Sequence, residues 1–108
     1  MVQGHVDIMG TVVARRPAGA SLDLDIEAPS QVSRFLAAKG SIAVDGVSLT
    51  VNRVADSTAA CVFSVNLIPH TLQHTTLGTL VADSRVNLEI DLIARYVERM
   101  LTGAVPRT

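Results

Sequence analysis

Aromatic side chains are scarce in this sequence. Phe35, Phe63 and Tyr96 are the whole set, there is no tryptophan, and the aromatic share is 3%. A protein that grips bases or flat rings by stacking needs more platforms than that. The single cysteine, Cys61, excludes an internal disulfide and fits a reducing compartment, so a cytoplasmic location is expected. The formal net charge is −1, without the basic excess of a nucleic-acid binder. No apolar run approaches the roughly 18 residues of a membrane span, so no membrane partner is expected. A basic start followed by an apolar stretch is also lacking. Among the basic residues Lys39 is the one lysine.

The chain does have alternating apolar positions. Its 108 residues suit one domain and can bury a core without metal or disulfides. Residues 5–16 read as a strand, with Val6, Ile8, Val12 and Ala14 alternating around Gly10. A glycine there marks a bulge, a bend or a close approach. Pro17-Ala18-Gly19 reads as a turn. Ala20, Leu22, Leu24 and Ile26 then alternate with Ser21, Asp23, Asp25 and Glu27, the period of a half-buried strand. A short helix follows Pro29, with Ser30 as N-cap, Val32, Phe35 and Leu36 on one face and Gly40 at its end. Residues 41–44 and 47–54 form a hairpin about Asp45-Gly46. Residues 60–68 form a strand with Cys61, Phe63, Val65 and Leu67 on one face. Residues 70–77 read as a turn or short helix before Gly78, and residues 85–90 as the last strand. A helix over residues 92–101, capped by Asp91, carries an apolar stripe that includes Tyr96, Val97, Met100 and Leu101. It is too short to stand alone in water. The pattern predicts an all-β fold, a small closed antiparallel barrel over residues 1–91, followed by a helix and tail over residues 92–108.

The candidates for chemistry are few. Ser48 and Thr50 lie two apart on a strand and share one face. If the apolar face is the core, they meet solvent or a ligand; if the barrel lumen is polar-lined, they face inward. His5, His70 and His74 could move protons. His70 and His74 are four residues apart, but no third ligand completes a metal set in that segment. Cys61 alternates with Phe63 and Val65 and reads as a buried thiol. Lys39 suits a helix end, Asp45 suits its turn, and no phosphate-binding glycine loop is present.

Four stretches together are specific. They are Gly4-His5-Val6-Asp7, the run from Lys39 to Asn52, Leu67-Ile68-Pro69-His70-Thr71-Leu72, and Arg85-Val86-Asn87-Leu88-Glu89-Ile90-Asp91. Arg95-Tyr96-Val97-Glu98-Arg99-Met100-Leu101 follows them. With these motifs the chain resembles the second, C-terminal barrel of the riboflavin synthase family, a lumazine-binding domain, from Gly4 to about Leu101. It departs at Ile8 and Met9, where the family usually has a small residue, and in holding one barrel where the family enzyme has two. It looks like half of such a chain.

The resemblance implies a six-stranded Greek-key barrel that binds 6,7-dimethyl-8-ribityllumazine and riboflavin. The family reaction is a dismutation of two ribityllumazines to riboflavin and a ribitylaminopyrimidinedione, with neither metal nor organic cofactor. By resemblance Gly4 and Val6 would lie along the ring's amide edge, and Ser48 and Thr50 would bond the ribityl chain or the ring. Leu67 and Ile68 would flank it, Ile68 as an apolar wall, and Thr71 would add a polar contact. His5, Lys39 and Ser48 match positions given catalytic roles. Asp45 and Asp91 are weaker matches. A full site would need an N-terminal barrel or self-association as dimer or trimer, the latter through the terminal helix. The isolated half would bind with little turnover. A non-catalytic binding module of the lumazine-protein kind is the alternative. The flavin barrel of ferredoxin-reductase-type enzymes fits poorly, because Arg95-Tyr96 falls on the terminal helix and Val97 follows.

Overall fold

Alternation along the chain commits each strand to one inner, apolar face, and six such strands close on themselves. A computed structural model describes residues 5–36, 39–57 and 59–91. The strands are β1 (His5–Ala18), β2 (Ser21–Pro29), β3 (Ser41–Val44), β4 (Val47–Asp56), β5 (Ala60–Leu67) and β6 (Arg85–Asp91). They form a closed barrel in the order β1-β2-β5-β4-β3-β6, with every neighbouring pair antiparallel. Strands β3 to β5 are a meander and β6 returns beside β3, which is the Greek-key arrangement. The expected fold class is therefore the observed one. The expected helix over residues 92–101, its cap role for Asp91 and the tail lie outside the described residues.

The β2 pattern is as the sequence predicts: Leu22, Leu24 and Ile26 are buried, while Asp23, Asp25 and Glu27 face outward. The core gathers Leu24, Ile26, Ile42, Phe63, Leu67, Leu88 and Ile90 at or near zero exposure. Among the described residues Phe63 is the one aromatic side chain that is fully buried. Cys61 is also buried, and burial pushes its thiol pKa up.

Three local expectations change. The first turn comes later than Pro17-Ala18-Gly19. Strand β1 runs to Ala18, which pairs with Ser21 across Gly19-Ala20, and Gly19 takes a left-handed φ of 63°. The helix after Pro29 is a 3-10 turn over Ser30–Phe35, with Pro29 rather than Ser30 at the N-cap and no side-chain cap. It ends well before Gly40, and Lys39 itself holds the left-handed conformation at φ 71°. The Asp45-Gly46 hairpin forms as expected, with φ 48° and 85°, the signs of a type I′ turn. Asp45 does more than turn the chain. Its Oδ1 accepts from the Asn87 amide at 2.8 Å, and its own amide donates to the Asn87 carbonyl at 2.7 Å.

Gly10 is explained by close approach. It is buried on the inner face of β1, and a Cβ there would sit 2.7 Å from Leu88 Cδ1. The irregularity of β1 falls further on, where the register to β2 shifts between Val12 and Ala14. Beyond Thr11 β6 ends, and the loop takes over its place: the Val12 amide donates to the Ser84 carbonyl, and the Asp83 amide to the Val12 carbonyl. Arg15 ties the same region down by donating to the Gly78 and Leu80 carbonyls.

Candidate functional site

The position of each candidate follows from which barrel face its strand parity selects. On β4, Leu49 and Val51 are buried, so Ser48 and Thr50 project outward and are exposed. This settles the alternative left open by the sequence: the two hydroxyls lie on the outer wall, not in a lumen. Among the described residues no hydrogen-bonding partner takes up either hydroxyl.

The flanking strands bring further groups to this wall. Val51 pairs with Val65 on β5. That pair is the last of the β4–β5 ladder, and Thr50 and Asn66 are the next residues beyond it on the two strands. Ile68 is an exposed large apolar side chain at 52%. It directly precedes α1 (Pro69–His74), whose Pro69 suits the first helical turn. Thr71 on α1 is half-buried. On the other side of β4, Ser41 pairs with Thr50, and the Lys39 amide donates to the Val51 carbonyl. Lys39 is exposed beside this wall. Ser48, Thr50 and Lys39 thus lie together at the β3–β4 side, while Ile68 and Thr71 follow the end of β5, the strand that pairs with β4.

Other candidates stand elsewhere. The Leu67 side chain is in the core at zero exposure, so only its backbone can reach the outer wall. His5 and Val6 pair with Asp91 and Ile90 on β6, and β1 is three strands from β4 in either direction around the ring. Gly4 lies outside the described residues. His70 and His74 are exposed and stack with ring centroids 4.1 Å apart, and His74 Nδ1 is 2.8 Å from the His70 carbonyl oxygen. Among the described residues no group of three potential metal ligands occurs.

Asn66 is the residue that sequence reasoning missed. It lies on β5 between β4 and β2, and its Nδ2 donates to Asp23 Oδ1 at 2.7 Å. One step further along the wall, Ser64 donates to Asp25 Oδ1 at 2.8 Å, and Arg16 grips both Asp25 oxygens at 2.6 and 2.8 Å. The Arg16 hydrogen bonds hold the Asp25 carboxyl below the usual carboxylate range, against some loss of solvation. The sequence signal for Asn66 was its parity: a polar residue between the core positions Val65 and Leu67, on the face that Ile68 continues.

This wall can offer a ligand hydroxyl, amide and ammonium groups beside an apolar side chain. Such a set suits a polar molecule with one apolar face, held by many weak bonds and no metal-ligating cluster. Comparison with known proteins identifies the family. The lumazine binding domain family matches residues 3–91. The chain is 43% identical over 101 residues to the riboflavin synthase of Photobacterium phosphoreum, covering 94% of this chain and 44% of that protein. It is 47% identical over 104 residues to the riboflavin synthase of Mycobacterium bovis, covering 96% and 51%. With the riboflavin synthase of Bacillus subtilis it shares 34% identity over 103 residues, covering 95% and 46%. The chain therefore spans about half the length of the curated relatives it matches.

Proposed function

The chain belongs to the lumazine-binding domain family, and we propose that its outer wall at Ser48 and Thr50 binds 6,7-dimethyl-8-ribityllumazine or riboflavin. The observation that carries this reading is the pair of exposed, unpartnered hydroxyls on β4, with Ile68 and Asn66 beside them. A ribityl chain and a pyrimidine edge present hydroxyl, N–H and C=O groups that must be paired when covered. Each one left unpaired costs about 1–3 kcal/mol. Thr71 and Lys39 would reach the same ligand from α1 and from the segment before β3, and Ile68 would lie against its ring. The Leu67 contribution would come from its backbone.

The reaction supported by this family is the transfer of a four-carbon unit between two ribityllumazines. The ring is its own electron sink, so a ring methyl group can lose a proton without a cofactor. The protein's task is to hold two flat molecules face to face, which is catalysis by proximity and orientation. One such wall holds one ligand. The second would come from a second barrel, either an N-terminal riboflavin synthase barrel or another copy of this chain. On that arrangement His5 and Val6, on the strand across the ring from β4, act in the shared site and not alone, and Gly4 would act with them. Ser48 and Lys39 act at the ligand held by this barrel. The absence of tryptophan gives the second reading its support: a lumazine-protein-like module that binds without turnover benefits from a surface poor in quenching side chains.

Fluorescence titration with ribityllumazine and riboflavin tests the site. Ser48→Ala should weaken binding by roughly 5-fold or more, the lower end of the cost of one unpaired group. His74→Ala, across α1 and stacked on His70, should leave it within 2-fold. Equal effects of the two would remove Ser48 from the site. Formation of riboflavin from ribityllumazine in the same samples separates the catalytic reading from the binding module.

A further inference from the structure

The Asn66–Asp23 pair sets a direction as well as a contact. Asn66 and Asp23 face one another in register on β5 and β2, and the bond runs from Asn66 Nδ2 to Asp23 Oδ1 at 2.7 Å. A carboxylate, the form of an aspartate at neutral pH, can only accept. The carboxamide NH2 of Asn66 is therefore committed to the β2 side. Its Oδ1 is left as the amide's free acceptor, on a strand whose other neighbour is β4, next to the end of the ladder at Val51 and Val65. Among the described residues no donor bonds to Asn66 Oδ1. The neighbouring aspartate is used differently: Arg16 gives two hydrogen bonds to Asp25, which leaves Asp23 to Asn66.

From this we infer that Asp23 is a positioning residue for the ligand site. It does not touch the ligand. It fixes the Asn66 amide so that the wall beside Thr50 presents an acceptor, and that acceptor selects a hydrogen-bond donor on the ligand, a ring N–H or a ribityl hydroxyl. The inference rests on the reading of this wall as a lumazine and flavin site.

Replacing Asp23 by asparagine keeps a hydrogen bond to Asn66 but removes its direction, because an amide both donates and accepts. With two orientations of similar energy only half the molecules present the acceptor, and apparent affinity falls by that fraction. Riboflavin titrated against Asp23→Asn should therefore bind about 2-fold more weakly than against wild type, with an unchanged thermal midpoint. The exchange Asp23→Asn with Asn66→Asp should restore binding. There the carboxylate at position 66 accepts from the new amide and still turns an acceptor outward. Asn66→Ala should weaken binding at least as much as Asp23→Asn.

A purely structural Asp23 gives a different pattern: Asp23→Asn binds riboflavin like wild type although Asn66→Ala is weakened. That pattern overturns the inference while leaving the site in place. Unchanged binding by Asn66→Ala, or failure of the exchange to restore affinity in a folded protein, also overturns it. Absence of riboflavin and ribityllumazine binding by wild type overturns the site reading and the inference together.

Discussion

Gly10→Ala tests the packing of the barrel at one atom. The added methyl would lie 2.7 Å from Leu88 Cδ1, 3.0 Å from Ile26 Cγ2 and 3.1 Å from the Glu27 carbonyl oxygen. Carbon atoms in good contact sit at about 3.5–4.0 Å. Leu88 and Ile26 are both at zero exposure, so neither has open space to move into. The Glu27 oxygen belongs to the backbone of the strand paired with β1, so it gives way only by moving that strand. Overpacking of this kind costs about 1–3 kcal/mol. Against it, alanine in a strand gains about 0.5–1 kcal/mol over glycine. Taking the middle of both ranges, the net loss is about 1 kcal/mol. In a domain of this size that lowers the thermal midpoint by roughly 4–8 °C. Thermal unfolding followed by circular dichroism reads the shift. Leu88→Ala supplies the cross-check, since it removes the atom that the new methyl meets. The double variant should be more stable than the two single losses add up to, by about 1 kcal/mol. A Gly10→Ala protein as stable as wild type, or strict additivity in the double variant, would refute this account of Gly10.

Two further outcomes follow from the ionisable groups. The Asp25 carboxyl is held low in the folded protein by Arg16, so its contribution to stability is present above the unfolded carboxylate pKa and is lost as pH falls through the lower folded value. Asp25→Asn should thus lower the melting temperature at pH 7, and the difference from wild type should shrink and vanish on acidification below the carboxylate range. A gap that persists at low pH would point to packing instead. Burial raises the Cys61 thiol, so a thiol reagent at pH 7 should react with the native protein far more slowly than with the urea-unfolded chain. Equal rates would place Cys61 at the surface.

The fold was legible wherever alternation was strict. Strand β2 alternates cleanly from Leu22 to Ile26, and Asp45-Gly46 specifies its own turn. Both are local signals, complete within a few residues. The errors arose where the deciding partner was distant. The extent of β1 depends on β2 across Gly19-Ala20 and on the loop that reaches Val12 from Asp83 and Ser84. No pattern within residues 5–18 encodes that loop. Lys39 looked like a helix-end cation, but its backbone is set by the bond to Val51 and a left-handed φ. In the candidate site, the shared face of Ser48 and Thr50 could be read from parity alone, while its outward direction needed the burial of Leu49 and Val51. Asn66 escaped attention because its role depends on Asp23, 43 residues earlier, which is a neighbour only after β2 and β5 pair.

Ring closure decides how a second barrel could attach. In a ring with every strand paired on both sides, no long row of backbone N–H and C=O groups is left to recruit another chain by strand addition. Among the described residues, contact with a second barrel would then run through outward side chains. The ring has one short join: β3 meets β6 through two residue pairs, Ala43 with Glu89 and Val44 with Leu88, extended by the Asp45–Asn87 contacts. Parting that join would create two strand edges at once. Asp45, bonded twice to Asn87, therefore fastens the ring where its ladder is shortest, a contribution set by the connectivity of the barrel and separate from anything the outer wall binds.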